Sequence, residues 1–452
     1  MRRVGFLLQF VSLAILAAQL VQAADQATVS RSSPEREGRA WVQRAEASLP
    51  VREGGRLVVR SDFGSVSVRT GSSNRMECKL VLRAYTANEN EARRYFERYE
   101  LGVRPLENGG AYVSGSLAGN HRRHTSMSAE FRIAVPQRFN LDIETQGGDV
   151  AVENPLQGEV RATTAGGDIR TSDVSGPLKA ETAGGCITLG NVGQRVEART
   201  AGGSIRVGNV KGDTILETSG GEVVTGKIEG NLRAETAGGD VTIGGGSGEI
   251  RAETAGGQIR IGETGGSVRA QTAGGSIQLT GARGRVFAET GGGSIDLFQV
   301  LGGIKAQTGA GRILAQFAGD KRTFRASELE SAMGDVFVYL PPDLPLTIDA
   351  AIENALGHRI ISDFPLNIRG DNQEFVVTTI SGHGALNGGG DILRIRAVGG
   401  NIEIRKLDLK TLEQLKARQA SESKAFEDRR NQNEHRRRAR ESRQRDPAED
   451  PE

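Results

Sequence analysis

One spacing constrains this chain more than any other property. Glycine pairs recur along its middle, and the second glycine of each falls at Gly148, Gly167, Gly185, Gly203, Gly221, Gly239, Gly257, Gly275, Gly293 and Gly311. The first interval is nineteen residues and the following eight are eighteen. A register held that long identifies an internal repeat, V-x-A-x-T-A-G-G-x-I-x-L-x-x-V-x-G. Apolar and polar residues alternate on both sides of the glycines, as in Leu178, Ala180, Thr182 and then Ile187, Leu189. Alternation at period two specifies strands with one buried face. The gaps are too short for helical crossovers. The fold class that follows is all-β: a single parallel β-solenoid with about 18 residues per coil, in which equivalent residues stack about 4.8 Å apart.

Stacking turns the repeat into columns. Thr stands three positions before every marker glycine, from Thr145 to Thr308, and is expected to face inward at a strand end. Two positions earlier, from Ala162 to Ala306, the column is Ala, with Leu216 as the exception, which implies a narrow interior. The paired glycines are expected to supply positive φ at corners. A lone coil buries too few aliphatics to order itself, so neighbours must supply the stability. Glycine at 62 of 452 residues, with a single Trp (Trp41), agrees with thin, regular packing.

The columns also expose charge. Glu217, Glu235 and Glu253 stack, followed by Gln271 and Glu289, beside a row of Arg233, Arg251 and Arg269. Like charges in register repel, so an adjacent arginine row is the expected remedy. Arg233, Glu235, Arg251, Glu253 and Arg269 are therefore the array's candidate interaction surface, with two readings: a self-compensating ladder or a docking face for a polymer. Exposed aromatics suited to sugars are few, namely Phe287 and Phe298, with Phe317 at the margin.

The ends differ from the array. Arg2 and Arg3 precede an apolar run from Phe6 to Val21 and a small-residue site at Val21 and Ala23, the pattern of a secretory signal. No later stretch is long and apolar enough to span a bilayer, so the mature chain is expected to be exported, to the periplasm, the cell surface or beyond. The expected organisation is signal peptide 1–23, linker 24–50, first coil and cap 51–140, regular solenoid 141–318, irregular coils 319–405 and a charged tail 406–452. In the cap, Leu57, Val59 and Val66, Val68 flank Gly64 as a first coil. A short helix follows, opened by Thr86 and Glu89 at capping-box spacing and placed as a lid over the open end. In the tail, Leu409, Leu412 and Leu415 suit a helix. Beyond it Arg429 to Arg445 holds eight Arg against two Glu, with Arg436, Arg437 and Arg438 as further candidate contacts to an anionic polymer or head group.

Several chemistries are excluded on spacing. The residues after Gly-Gly are Asp-Val, Gln-Ile or Ser-Ile, without the second Gly and Asp that a calcium β-roll needs. Asp149, Asp168 and Asp240 are turn residues. His121 and His124 have metal-compatible spacing in a charged loop, while His358, His383 and Gly388 to Gly390 belong to the irregular coils; these glycines precede no helix and cradle no phosphate. Cys78 and Cys186 cannot be paired from sequence, and Cys186 has no His nearby to activate it. The expectation is no catalytic residue, no metal and no cofactor. Overall charge near zero argues against nucleic acid.

The segments GRLVVRSDFGSVSVRTG, FRIAVPQRFNLDIETQGGDV, the TAGGDI-type repeats, GDVFVYLP and GALNGGGDILRIRAVGGNIEIRK together resemble an exported bacterial family of unknown function labelled "putative adhesin". The resemblance covers about residues 50–406 and implies an exported β-solenoid without assigned catalytic residues. Three functions follow as expectations. The first is a non-enzymatic adhesin or envelope-interaction protein, its partner an envelope polymer, a glycan or a surface protein. The second is a carbohydrate-active β-helix enzyme using an acid between Glu328 and Glu374. The third is a structural or regulatory envelope component acting through a protein partner.

Overall fold

The computed structural model describes residues 27–71, 73–118, 126–373, 376–408, 411–415, 417 and 421. The expected signal peptide 1–23, His121, His124, Leu409 and the arginines Arg436, Arg437 and Arg438 lie outside the described residues. Strand is the main element of the described chain, which forms two compact units. The first holds residues up to 279 with 283–294, the second 280–282 with everything from 295.

In the first unit each repeat makes one coil. Val160–Thr164, Leu178–Thr182, Val196–Thr200, Thr214–Thr218, Leu232–Thr236, Ile250–Thr254, Val268–Thr272 and Val286–Thr290 pair in parallel, residue for residue at the eighteen-residue offset. A second side of three-residue strands follows each glycine pair, such as Ile187–Leu189 on Ile205–Val207. A third side is a single bridging residue per coil, in the column Leu156, Val174, Val192, Val210, Ile228, Gly246 and Thr264. The coil is therefore three-sided. Its interior is filled by the Val/Leu/Ile and Ala columns of the long side and the Ile/Val column opposite, all essentially buried.

The corner after the Thr column corrects the expectation about glycine. Among the marker glycines of this unit only Gly148 has positive φ. The others are glycine because the coil beneath leaves no room: a Cβ on Gly185 would sit 2.0 Å from the carbonyl oxygen of Gly167, and one on Gly239 2.1 Å from that of Gly221. The Thr hydroxyl occupies the same corner. Thr236 Oγ1 donates to the Gly221 oxygen of the preceding coil at 2.8 Å and accepts from the Gly239 N–H at 3.3 Å. The same pair recurs at Thr182, Thr200, Thr218, Thr254, Thr272 and Thr290. This satisfies polar groups that burial would otherwise penalise.

The N-terminal end also departs from expectation. Arg56–Ser61 and Ser65–Gly71 do form a coil, in parallel with Asn140–Thr145 and Val150–Val152. Outside it lie Gly110–Leu117 and Met127–Pro136, also parallel. The sheets then close with antiparallel strands: Tyr99–Leu106 on one, and Arg75–Ala84 followed by Ala40–Pro50 on the other. Residues 24–50, expected as a linker, thus contain an eleven-residue strand with Val42, Ala45, Ala47 and Leu49 buried. The outermost strands, Thr28–Arg31 and Glu35–Glu37, are exposed and charged and flank Pro34, features that blunt an edge. The helix, Glu89–Glu97, packs on these antiparallel strands. Its N-cap is Asn88, whose side chain accepts from the Asn90 N–H. Thr86 instead donates to Glu91 at 2.5 Å.

The second unit orders its coils differently from its sequence. Ile304–Thr308 pairs with Ser327–Met333, which pairs with Ile392–Gly399, which pairs with Leu346–Ile352, all parallel. On the other side the order is Ile295–Val300, Ile313–Phe317, Val336–Leu340, Ile402–Lys406 and Ile360–Ser362. The last coil of the sequence is inserted between two earlier ones. Antiparallel strands Val376–Leu386 and Asn367–Gln373 end the long side.

Candidate functional site

The long outer face of the first unit carries the predicted residues. Because side chains alternate along a strand, the second and fourth residues of each five-residue strand point outward. The register places Arg233, Arg251, Arg269 and Phe287 in one column and Glu217, Glu235, Glu253, Gln271 and Glu289 in the next. The two columns compensate each other. Arg233 Nε lies 2.6 Å from Glu235 and Arg251 Nε 2.7 Å from Glu253. Arg269, facing Gln271, instead lays its guanidinium 4.3 Å from the centroid of the Phe287 ring, a cation–π contact. Lower in the stack Arg199 contacts Glu181, Glu197 and Glu217, and Lys179 contacts Glu181 and Glu197. Burial pushes the Glu197 carboxyl up, but the hydrogen bond and charge of Arg199, with Lys179 and Arg195, leave it below the ordinary carboxylate range.

An open groove of about 1290 Å³ runs beside the glutamate column. Its walls are the same three positions repeated in seven coils, with two of them in an eighth (Thr163 and Thr164): the outward Glu, Gln, Thr or Arg, the inward Thr, and the small residue that opens the turn (Ala183, Ala201, Ser219, Ala237, Ala255, Ala273, Gly291). Small turn residues keep the groove shallow and continuous. A second groove of about 580 Å³ follows the third side. It carries a ladder that single-residue inspection did not find. Asp173 accepts from the Asn191 N–H at 2.8 Å, Asn191 from that of Asn209 at 2.9 Å, and Asn209 from that of Lys227 at 2.8 Å. The signal was an Asp/Asn at the same place in three successive repeats. Asp149, Asp168 and Asp240 act in the same way, each accepting from the backbone N–H of the residue one coil on, as expected of turn residues.

The second unit holds the acids in which an enzyme would be sought. Glu328 is hydrogen-bonded by Lys305 at 3.0 Å with Arg394 at 3.7 Å, which holds its carboxyl below the usual range against the effect of burial. At Asp349 burial acts upward but is outweighed by Arg396 at 2.7 Å, with His383 at 3.1 Å and Arg394 at 3.6 Å, so that carboxyl is also held low. Both are anions at neutral pH, and a general acid needs the opposite shift. His358 lies in the turn after Ala355, and Gly388 and Gly389 adopt positive φ in the turn after Leu386. Among the described residues no group of three or more His, Cys, Asp or Glu side chains could hold a metal ion.

Two of the three aromatic candidates are not on the surface. Phe317 is buried in the core beside Phe324, with ring centroids 5.4 Å apart. Phe298 points out of its sheet but is covered, together with Leu314, by Leu415 of the C-terminal segment. Both cysteines are free. Cys78 is buried, which raises its thiol to about 12, and Cys186 is half-buried.

The profile of the Toastrack DUF4097 family matches residues 123–358. Two crystal structures are similar to the chain. One is a "putative adhesin" from Bacteroides fragilis NCTC 9343, 14% identical, covering 60% of this chain and 95% of that one, with a TM-score of 0.27. The other is a "putative cell adhesion protein" from Clostridium sporogenes ATCC 15579, 9% identical, covering 84% and 100%, with a TM-score of 0.15. No curated protein matches the chain.

Proposed function

The chain belongs to the Toastrack DUF4097 family, whose function is unknown, and from that premise we propose that it is a non-catalytic, exported adhesin-like solenoid that engages a cell-envelope polymer along its long outer face. Residues 1–23 serve as the export signal in this reading. The observation that carries it is the groove lined by the same three positions in seven successive coils and by two of them in an eighth. A catalytic cleft gathers unlike groups around one reacting atom. Here like groups repeat along a line, which suits a ligand that is itself a repeating chain. The arginine and glutamate columns present a fixed pattern of guanidinium and carboxylate, Arg233–Glu235 and Arg251–Glu253, to sugar hydroxyls or amides. Glu328 and Asp349, anionic and ion-paired, weigh against glycosidic cleavage in the second unit.

The test exchanges partners without breaking the pairs. A variant with Arg233→Glu, Glu235→Arg, Arg251→Glu and Glu253→Arg keeps both ion pairs and reverses the pattern. Residues 27–421 bearing these changes should fold as the parent does by circular dichroism. Binding to whole bacterial cells and to purified peptidoglycan should drop about tenfold, equivalent to roughly 1.4 kcal/mol. Unchanged binding would remove this face from the interaction, and release of reducing sugar by the parent would replace the reading with an enzymatic one.

A further inference from the structure

The charge ladder on the long outer face of the first unit runs unbroken for several coils and then stops. From Lys179 to Glu253 every outward charged side chain of this face has an oppositely charged partner. Two departures from the repeat end this. Gln271 stands where the coil below has Glu253, and Phe287 stands where the coil below has Arg269. The first removes the carboxylate that would face Arg269 on its own strand. The second removes the guanidinium that would face Glu289. Either departure alone would leave one uncompensated charge. Together they leave two of opposite sign, on neighbouring coils and in neighbouring columns.

The two groups do not close on each other. The Arg269 guanidinium lies 4.3 Å from the centroid of the Phe287 ring, one coil up its own column. Among the described residues Arg269 has no carboxylate partner, so its N–H donors are left for a ligand. Glu289 accepts a hydrogen bond from Gln271 Nε2 at 2.9 Å, one coil down its own column, and has no cation beside it among the described residues. Arg269 and Glu289 are both exposed, and Gln271 and Glu289 line the groove. One coil and two residues of strand separate them, about 8 Å between backbones. A ligand charge that approaches Arg233 or Arg251 must compete with a carboxylate already in place. At Arg269 and Glu289 there is no pair to displace, and a guanidinium fork matches a carboxylate through two parallel hydrogen bonds. We propose that Arg269 and Glu289 form a subsite for a zwitterionic substituent: Arg269 takes a carboxylate and Glu289 an ammonium group. The polymer is then one that carries amino-acid branches, not a neutral glycan. This rests on the reading that the groove engages an envelope polymer, and it names the chemistry the polymer presents there.

The experiment uses residues 24–452 as the parent, with the variants Arg269→Gln and Glu289→Gln, whose outward positions leave the fold unchanged by circular dichroism. Each is sedimented with purified peptidoglycan in three forms: untreated, with its amines acetylated by acetic anhydride, and with its carboxylates amidated through a carbodiimide. The parent should bind the untreated polymer and lose about fivefold in affinity on either treatment, the scale of one exposed ion pair. Glu289→Gln should bind the untreated polymer as weakly as the parent binds the acetylated one, and acetylation should then change nothing. Arg269→Gln should show the same indifference to amidation while staying sensitive to acetylation. A general electrostatic attraction would weaken both variants without this crossed pattern. Equal binding of all three polymers by the parent, or variants that stay sensitive to both treatments, overturns the subsite and leaves the polymer reading standing. A parent that binds none of the three overturns both.

Discussion

At each corner of the first unit two glycines sit side by side and do different things. Gly239 lies against the chain beneath, where a methyl would meet the Gly221 oxygen at 2.1 Å; Gly238 has its nearest neighbour, the Gly220 oxygen, at 3.4 Å. Neither has positive φ, so the same substitution probes space alone. Gly239→Ala must push two coils apart and should cost about 1–3 kcal/mol. Gly238→Ala meets ordinary contact and loses unfolded-state freedom, so it should be neutral or stabilise by up to about 1 kcal/mol. Urea midpoints of the two variants separate these outcomes, and equal losses would mean the corner is held by something other than close approach. The thiols divide in the same way. Cys78 is enclosed and its thiol is raised to about 12 by burial, whereas Cys186 is half-buried at a turn. Because thiolate is the reactive form, Ellman's reagent at pH 8 should titrate one thiol in the native protein and two in urea, and Cys186→Ser should abolish the native signal. The sign of the linkage follows: a thiol neutral to about 12 when folded but to about 8.5 when unfolded disfavours the fold as pH rises through that interval.

Among the elements, the strands and their register were legible because one spacing governs both. Eighteen residues and period-two alternation decide which side chains face in, so the columns of Arg233, Glu235, Arg251, Glu253 and Arg269 could be drawn before any coordinates. What alternation does not encode is the direction of the neighbouring strand. Ala40–Pro50 alternates as a coil strand does, yet pairs antiparallel with Arg75–Ala84, and its small, mixed residues made it pass for a linker. The seat of Leu415 was hidden for a related reason. Its partners Phe298 and Leu314 are about a hundred residues away in sequence, and the local sign, apolar residues at outward positions, looked like exposed aromatics. Coil order in the second unit is the third such case, because two coils with the same pattern can exchange places. Ile392–Gly399 has a parallel neighbour on each side, Ser327–Met333 and Leu346–Ile352. A chain ending at Leu386 would lack that strand and Ile402–Lys406 as well. Leu346–Leu386 would then keep only its own antiparallel pairing. Limited proteolysis should degrade residues 346–386 of that chain rapidly while the first unit survives. Survival of both would place the strength of the second unit elsewhere.

The first unit as a whole behaves as a one-dimensional object, since each coil of its regular part touches only the coils above and below. Its stability should then be a sum over coils and the interfaces between them. That picture makes a sharp demand on deletions. Removing residues 233–250 joins Leu232 to Arg251, so that the strand Leu232-Arg-Ala-Glu-Thr is rebuilt from Arg251, Ala252, Glu253 and Thr254. Every column keeps its identity, including the Thr hydroxyl that bonds back to the glycine carbonyl of the coil below, and one interface is lost among several equals. The shortened protein should fold, with unchanged strand content per residue by circular dichroism and a modestly lower denaturation midpoint. Removing only residues 233–241 joins Leu232 to Thr242 and deletes the glycine corner together with half a coil. The long side would then run into the short side without a turn, and inward positions would meet outward ones. That chain should lose the cooperative transition of the first unit altogether, although it is the smaller change by length. Hydrogen exchange in the parent should show the same logic, with protection highest in the middle coils and lowest in the exposed edge strands Thr28–Arg31 and Glu35–Glu37. Equal tolerance of the two deletions would mean that stacking in register is not what holds these coils.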